Sequence, residues 1–342
     1  MKSLTDSLDE KNKSPIIRKR KVICINGDYL GSIKQMPFLI KAIQKISPKT
    51  KIMIRCEPNY QEILKKDLCF EGISQHNIIT KTKSKIDIYS DMEVSDCFIK
   101  GNDKLLDFWI DPLKFEKRRL LNESEIKDLR EKYKIREDEQ VVLGGSLNQY
   151  EMSMIWDISW NILKKNPKIK FIFVPRGQFY LGDFQETEFE TDSNITGGKK
   201  RLMIEEKGCL DKLYSICDSA IIGNTFKNYN TGQNPLEPAF YGKRTLYGNH
   251  DNNWNKKAYN GLRESKLLVK VNNDLGLMNA ILNPPAKKDL EISRQKAQEF
   301  ITSKQGAATE YAKLIKDIID EKIKPGYLDG KRNSDILPFW NN

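Results

Sequence analysis

Residues 223–254, GNTFKNYNTGQNPLEPAFYGKRTLYGNHDNNW, bring a glycine-rich loop, a carboxylate at a helix start and a second glycine turn into one short stretch. Such residues suit the binding of an anionic ligand at the edge of an α/β domain. The run SAIIG, residues 219–223, is short, apolar and bounded by turn formers, and it reads as a buried parallel strand. A polar loop rich in Gly and Asn follows. Asn234-Pro235-Leu236-Glu237 then opens a helix, with Asn as N-cap, Pro at the first helical position and Glu at the third. RTLYG, residues 244–248, is the next strand. In open α/β sheets ligands bind outside the carboxyl ends of the strands, and helix N-termini there present unpaired N–H groups to anions. The same Asn-x-x-Glu spacing is also a capping box, in which Glu237 does no more than tie back to its own helix start.

Residues 208–254 resemble the Kdo transferases, the glycosyltransferases that move the acidic sugar Kdo from its CMP-activated form onto lipid A precursor. That family carries G-E-L-x-x-L-Y, then A-D-x-A-F-V-G-G-S-L, a short loop, and G-G-H-N-P-L-E-P-A-x-x-G-x-P-V-L-x-G-P-H-x-x-N-F. The chain reads GCLDKLYSICDSAIIGNTF and then TGQNPLEPAFYGKRTLYGNHDNNW, in the same order and spacing. It departs from the pattern at Cys209, Asn224 and Gln233. The resemblance implies that Gly223, Asn224, Thr225, Gly232, Gln233, Asn234 and Glu237 face a nucleotide-sugar donor. Glu237 would hold a ribose hydroxyl, and Asn234 would fix the loop.

Three further places match the family. GGSLNQYE, residues 144–151, resembles its strand-to-helix turn S-T-H-x-G-E-E. There Gly144 and Gly145 let the backbone come close to a phosphate, and Ser146 either caps the helix or donates to an anion. FVPR, residues 173–176, resembles the family's V-P-R, which would set Arg176 over the phosphate or the sugar carboxylate, where a planar guanidinium makes a bidentate pair. The usual H-P-E-R continuation is replaced by GQFYLGDF. Near the N-terminus, ICINGDYLGSIKQMPFLI resembles the family's S-V-G-E and P-L-I, with Gly27-Asp28 in the place of Gly-Glu and a few extra residues before Pro37. The family's Glu is the catalytic base, so the resemblance implies that role for Asp28. With no gap allowed the position falls on Gly31, and Asp is also a common turn residue after a strand.

The elements that must position these residues alternate along the chain. KVICING (21–27), a helix over 35–46 with apolar Met36, Leu39, Ile40 and Ile43, and KIMIRC (51–56) form a βαβ unit. Such a unit implies a parallel sheet with a right-handed crossover. Residues 57–111 give only short strand candidates. Asn122 and Glu125 announce a helix over 123–133 by a capping pattern. QVVLGGS (140–146) is a strand, followed by a helix carrying Met154, Ile155, Ile158, Ile162 and Leu163. KFIFVPR (170–176) is a strand, LDKLYSIC (210–217) a helix and LLVKV (267–271) the last strand, before helices of which the longest is expected over 307–323. The fold class is α/β: two Rossmann-like domains with parallel sheets facing an interdomain cleft, the arrangement called GT-B that the resemblance also implies. The division expected is a basic tail (1–20), a shortened acceptor domain (21–115), a nucleotide-sugar donor domain (116–325) and a C-terminal tail (326–342).

At 342 residues the chain is long enough for two ordinary domains, and 39% hydrophobic with 31% charged residues describes a soluble globular protein. No apolar run reaches the about 20 residues that span a bilayer, and MKSLTDSLDEKNKS lacks a signal-peptide core, so a cytoplasmic protein is expected, peripheral on the inner membrane. Six cysteines without a C-x-x-C pair and two histidines argue against a zinc site and a disulfide framework. No metal and no cofactor are expected; the CMP-activated sugar is a substrate. Net charge +11, part of it in IIRKRK, favours anionic partners such as a phosphorylated lipid acceptor or an anionic membrane surface, and is equally common as solvated surface. Nucleic acid is the lesser reading, for no zinc-finger spacing or RNA-binding signature accompanies the charge. The expected function is inverting transfer of Kdo or a related acidic sugar to lipid A precursor or another glycan acceptor. The alternative is a relative that keeps the nucleotide fold without catalysis and serves as a scaffold.

Overall fold

The computed structural model describes residues 22–27, 33–56, 58–73, 78–81, 92–94, 98–101, 104–107, 111–176, 188–227, 232–250, 256–320, 322, 337 and 339. The chain divides into two compact units, Met1–Ile110 with Ala308–Leu337, and Asp111–Ala307 with Pro338–Asn342.

The first unit holds β1 (Val22–Gly27), α1 (Met36–Ile46), β2 (Lys51–Cys56), α2 (Pro58–Phe70), β3 (Ile78–Lys81), β4 (Met92–Val94), β5 (Phe98–Gly101) and β6 (Lys104–Asp107). Its sheet runs β3-β2-β1-β4-β5-β6. Met36, Leu39, Ile40 and Ile43 are all buried on α1, as the apolar spacing requires of a crossover helix. The expectation of parallel sheets is corrected here. β1 to β4 pair parallel, but β5 is antiparallel to both β4 and β6. Residues 95–97 and 102–103 are the whole of the connections, and a parallel crossover needs a dozen or more. The second correction is α2, where only strands were expected. Its buried Ile63, Leu64 and Leu68 are set among lysines and polar residues, a sparse stripe that Pro58 opens at the first helical position.

The second unit opens with a short 3-10 turn at Asp111–Phe115. It continues with α3 (Glu123–Lys132), β7 (Gln140–Leu147), α4 (Gln149–Lys165), β8 (Ile169–Pro175), β9 (Glu190–Thr191) and β10 (Arg201–Met203). After these come α5 (Leu210–Ile216), β11 (Ser219–Ile222), α6 (Leu236–Phe240), β12 (Arg244–Tyr247), α7 (Lys256–Glu264), β13 (Leu268–Lys270), α8 (Asp274–Leu282) and α9 (Lys287–Ser303). Its seven strands, ordered β13-β12-β11-β7-β8-β10-β9, are all parallel. Both faces are covered. Val142, Phe171 and Phe173 pack with Ile155, Ile158 and Ile162 of α4, while Val141, Leu143 and Ile172 pack with Leu213 and Ile216 of α5. Burial on both sides is why these strands read as continuous apolar runs, and each fully buried Ile or Leu contributes about 1.5–3 kcal/mol.

The capping box read at Asn122 and Glu125 is present, with both reciprocal bonds made. The last helix, α10 (Ala307–Ile319), is shorter than α4 and α9, and from Ala308 onward it belongs with the first unit, where the sequence reading set it in the 116–325 domain. Its buried Tyr311, Ala312, Leu314 and Ile315 give an ordinary amphipathic stripe, which marks a core-facing helix without marking whose core it faces. Among the described residues no helix is long and apolar enough to cross a membrane.

Candidate functional site

The chain leaves β7 for β8, β10 and β9 on one side and returns to β11, β12 and β13 on the other, so the strand order reverses between β7 and β11. The crevice outside the carboxyl ends of such a pair is where open α/β sheets bind ligands. Two glycines allow close packing there, Gly223 against the end of β7 and Gly145 against α5. A Cβ on Gly223 would lie 2.1 Å from the backbone oxygen of Ser146, and one on Gly145 would lie 2.5 Å from the Tyr214 hydroxyl and 3.1 Å from Leu210. The amide of Gly223 donates to the carbonyl of Gly145 at 3.0 Å.

Between Gly145 and Leu147 the ladder with β8 slips by one residue, and the extra residue is Ser146, at φ 54°. A serine in the left-handed region is uncommon and marks a bulge that re-aims the chain at a sheet end. Ser146 is half-buried, and its hydroxyl makes no hydrogen bond among the described residues. It is not the helix cap, which corrects one of its two expected roles. Asn148 caps α4, its Oδ1 accepting from the Glu151 amide at 3.0 Å, and Glu151 returns a carboxylate oxygen to the Asn148 amide at 3.2 Å. Arg176, the exposed residue after β8, donates its amide to the carbonyl of Leu147 at 2.8 Å, so its backbone is tied beside the bulge. Its guanidinium forms no ion pair among the described residues.

Glu151 is fully buried. Beyond its own cap it accepts from three consecutive amides of the loop after β11: Asn224 at 2.7 Å, Thr225 at 2.8 Å and Phe226 at 3.1 Å. The side-chain amide of Asn148 also donates to Oδ1 of Asn224 at 2.9 Å. Asn224 stands at φ 58°, left-handed and buried. Thr225 is fully buried, its hydroxyl donating to the Ile222 carbonyl at 2.6 Å and accepting from the Gly248 amide at 2.9 Å. That hydroxyl binds the loop to β11 and to the turn after β12.

On the far side of the loop Gly232 is buried, and Gln233 closes back on Gly223, its amide donating to the Gly223 carbonyl at 3.2 Å. The Tyr259 hydroxyl donates to the Gln233 carbonyl at 3.0 Å. α6 starts one residue later than the spacing suggests, with Pro235 at the N-cap and no side-chain cap bond. Asn234 instead accepts from the Leu236 amide at 3.1 Å, an Asx turn. Glu237 is half-buried in the first turn of α6. Burial, and next the negative charge of Glu237, push the Tyr214 hydroxyl well above its ordinary range.

These bonds bear on the helix N-termini expected to face an anion. The end of α4 carries its own cap and a carboxylate, and α6 is a single turn of five residues, too short to accumulate much dipole. Ser146 and Arg176, whose side chains make no hydrogen bond or ion pair among the described residues, stand at the β7 and β8 ends. Asp28 and the stretch 177–184 lie outside the described residues. Glu151, Asn148 and Tyr214 were not singled out from the sequence. A capping box at Asn148 and Glu151 was there to be read, but nothing in the spacing says that the glutamate also reaches a loop more than seventy residues away.

No family model matches the chain. Over 127 residues it is 32% identical to a bifunctional glycosyltransferase/methyltransferase of Fusobacterium nucleatum, a match covering 34% of this chain and 19% of that protein. Over 115 residues it is 29% identical to a 3-deoxy-D-manno-octulosonic acid transferase of Aquifex aeolicus, covering 32% of each. The chain thus spans about a fifth and about a third of the lengths of these curated relatives. The crystal structure of a glycosyltransferase from Rickettsia africae aligns with 90% of this chain and 100% of its own at 11% identity and a TM-score of 0.51, a likeness of fold. Over that matched third the chain is similar in sequence to a Kdo transferase, and its α/β units share the fold of GT-B glycosyltransferases.

Proposed function

We propose that the chain is an inverting glycosyltransferase that moves Kdo or a related acidic sugar from a CMP-activated donor to a lipid or glycan acceptor. The observation that carries the reading is the junction of β7 and β11, where Gly223 lets two strand ends come together at the reversal of strand order, beside the Ser146 hydroxyl, which makes no hydrogen bond among the described residues, and the exposed Arg176. The donor's glycosidic phosphate is already a leaving group, so the protein must bind the nucleotide, neutralise the departing CMP and deprotonate the acceptor. Arg176 pairs with the phosphate or the sugar carboxylate, and Ser146 donates to the same anion. Glu237 accepts a hydrogen bond from a ribose hydroxyl, and Asn234 with Gln233 fixes the loop that presents it. By the resemblance, Asp28 takes the acceptor proton. Lipid A precursor and an anionic membrane surface are the partners this reading favours.

A thermal-shift panel of CMP, UMP, GDP and CMP-sugars tests it. A ligand at about 100 times its dissociation constant stabilises by about 2.7 kcal/mol, well within reach of such a measurement. CMP and CMP-sugars are expected to raise Tm, and Arg176→Ala and Glu237→Ala each to weaken CMP binding about tenfold or more, the loss of one hydrogen bond to a charged group. No shift with any nucleotide sinks the reading and leaves a non-catalytic scaffold. A CMP shift with turnover unaffected by Asp28→Ala removes Asp28 from the mechanism.

A further inference from the structure

We infer that Glu151 is a positioning residue for the nucleotide site, holding residues 224–226 in the shape the donor meets; the inference rests on the function proposed above. Three consecutive loop amides converge on its carboxylate at 2.7, 2.8 and 3.1 Å, and a fourth, from Asn148, at 3.2 Å. Convergent backbone N–H groups of this kind make an anion-binding concavity. Here the anion is built in, on a side chain with no solvent exposure.

Two consequences follow for the site. The amides of Asn224, Thr225 and Phe226 are spent on the protein's own carboxylate, so they are not the donors that grip a phosphate. The loop's left-handed turn at Asn224 is also held from the β7–α4 side, by Glu151 on its amides and by Asn148 on its Oδ1. Glu151 therefore couples the strand end that carries Ser146 to the loop that leads from Gly223. Without it, two buried N–H groups and a part-buried one lose their acceptor, and the loop is free to find partners elsewhere.

Glu151→Gln keeps the shape but turns the NH2 of a carboxamide toward N–H donors. In the full-length chain we expect hydrogen exchange in the peptide covering 223–227 to quicken at least tenfold, while peptides within β8 and β10 keep their rates. We further expect the dissociation constant for CMP, by calorimetry, to rise at least tenfold. Unchanged exchange at 223–227 overturns the inference whether or not CMP binds. Faster exchange with unchanged CMP affinity overturns it as well, since the loop would then be held for stability alone. Wild-type protein that does not bind CMP fails the functional reading separately, and with it the donor-positioning role. Should Glu151→Gln not fold, Asn148→Ala removes the second tie while leaving the carboxylate, and must then quicken exchange in the same peptide and weaken CMP binding several-fold; no change in either measurement overturns the inference.

Discussion

Gly223 tolerates no side chain because what a Cβ would meet is backbone: the Ser146 oxygen at 2.1 Å and the Ser146 carbonyl carbon at 2.6 Å. Neither can swing aside as a rotamer could, so Gly223→Ala must separate two strand ends. Overpacking typically costs about 1–3 kcal/mol, and a backbone clash belongs at the upper end. Gly198→Ala is the control, since its Cβ would meet only the Thr196 hydroxyl at 3.5 Å. Urea unfolding should show Gly223→Ala less stable by at least about 2 kcal/mol and Gly198→Ala within about 0.5 kcal/mol of wild type. Equal effects at the two positions would mean that β7 and β11 do not abut as described. Arg176 and Ser146 are of another kind, since their side chains make few bonds inside the protein. Substitutions there should weaken nucleotide binding while leaving the unfolding midpoint nearly unchanged.

At the scale of elements, two capping boxes of the same design serve different ends. Asn122 and Glu125 close α3 on an exposed surface, and Glu125 also pairs with Arg119 at 2.7 Å. Asn148 and Glu151 close α4 and at the same time bond a distant loop. Removing an N-cap costs about 1 kcal/mol where nothing else depends on it, so Asn122→Ala should lower stability by about that amount and leave CMP affinity untouched. A change in CMP affinity on Asn122→Ala would show that α3 bears on the site. The order of the strands works at this scale too. Because β7 is central and β11 is its neighbour, the segments that follow them meet.

For the whole molecule, acid is the informative stress. Burial alone would raise the carboxyl of Glu190, but the Thr196 hydroxyl and the amides of Gly197, Gly198 and Lys199 outweigh it and leave it below its ordinary value. At Glu139 burial is likewise outweighed, by Lys200 and the Arg136 amide. A carboxyl depressed in the folded state stabilises fully above its unfolded pKa, and that contribution is lost as pH falls through the folded value. The urea midpoint should therefore hold steady from pH 7 to about 5 and fall below about 4.5, where unfolded glutamate begins to take up protons. Glu190→Gln should flatten that fall. A midpoint that holds level down to pH 3 in the wild type would remove both carboxylates from the account.

Legible along the chain were the local alternation of strands and helices, the apolar faces of α1 and α4, the cap of α3 and the likeness to the Kdo transferases, because each is a matter of residue types at short spacings. It placed Gly145, Gly223, Arg176 and Glu237 at the ends of elements, where chemistry is possible. Folding decided what those ends became. The short connections after β4 and β5 forced antiparallel pairing, the bulge at Ser146 moved the cap of α4 to Asn148, and the last helix joined the first unit. Above all, the reversal of strand order placed the loop after β11 beside the end of β7, and there Glu151 took up amides that local patterning leaves open to a ligand. A buried N–H must find an acceptor, and which acceptor it finds depends on what the fold brings within 3 Å, which spacing along the chain does not encode.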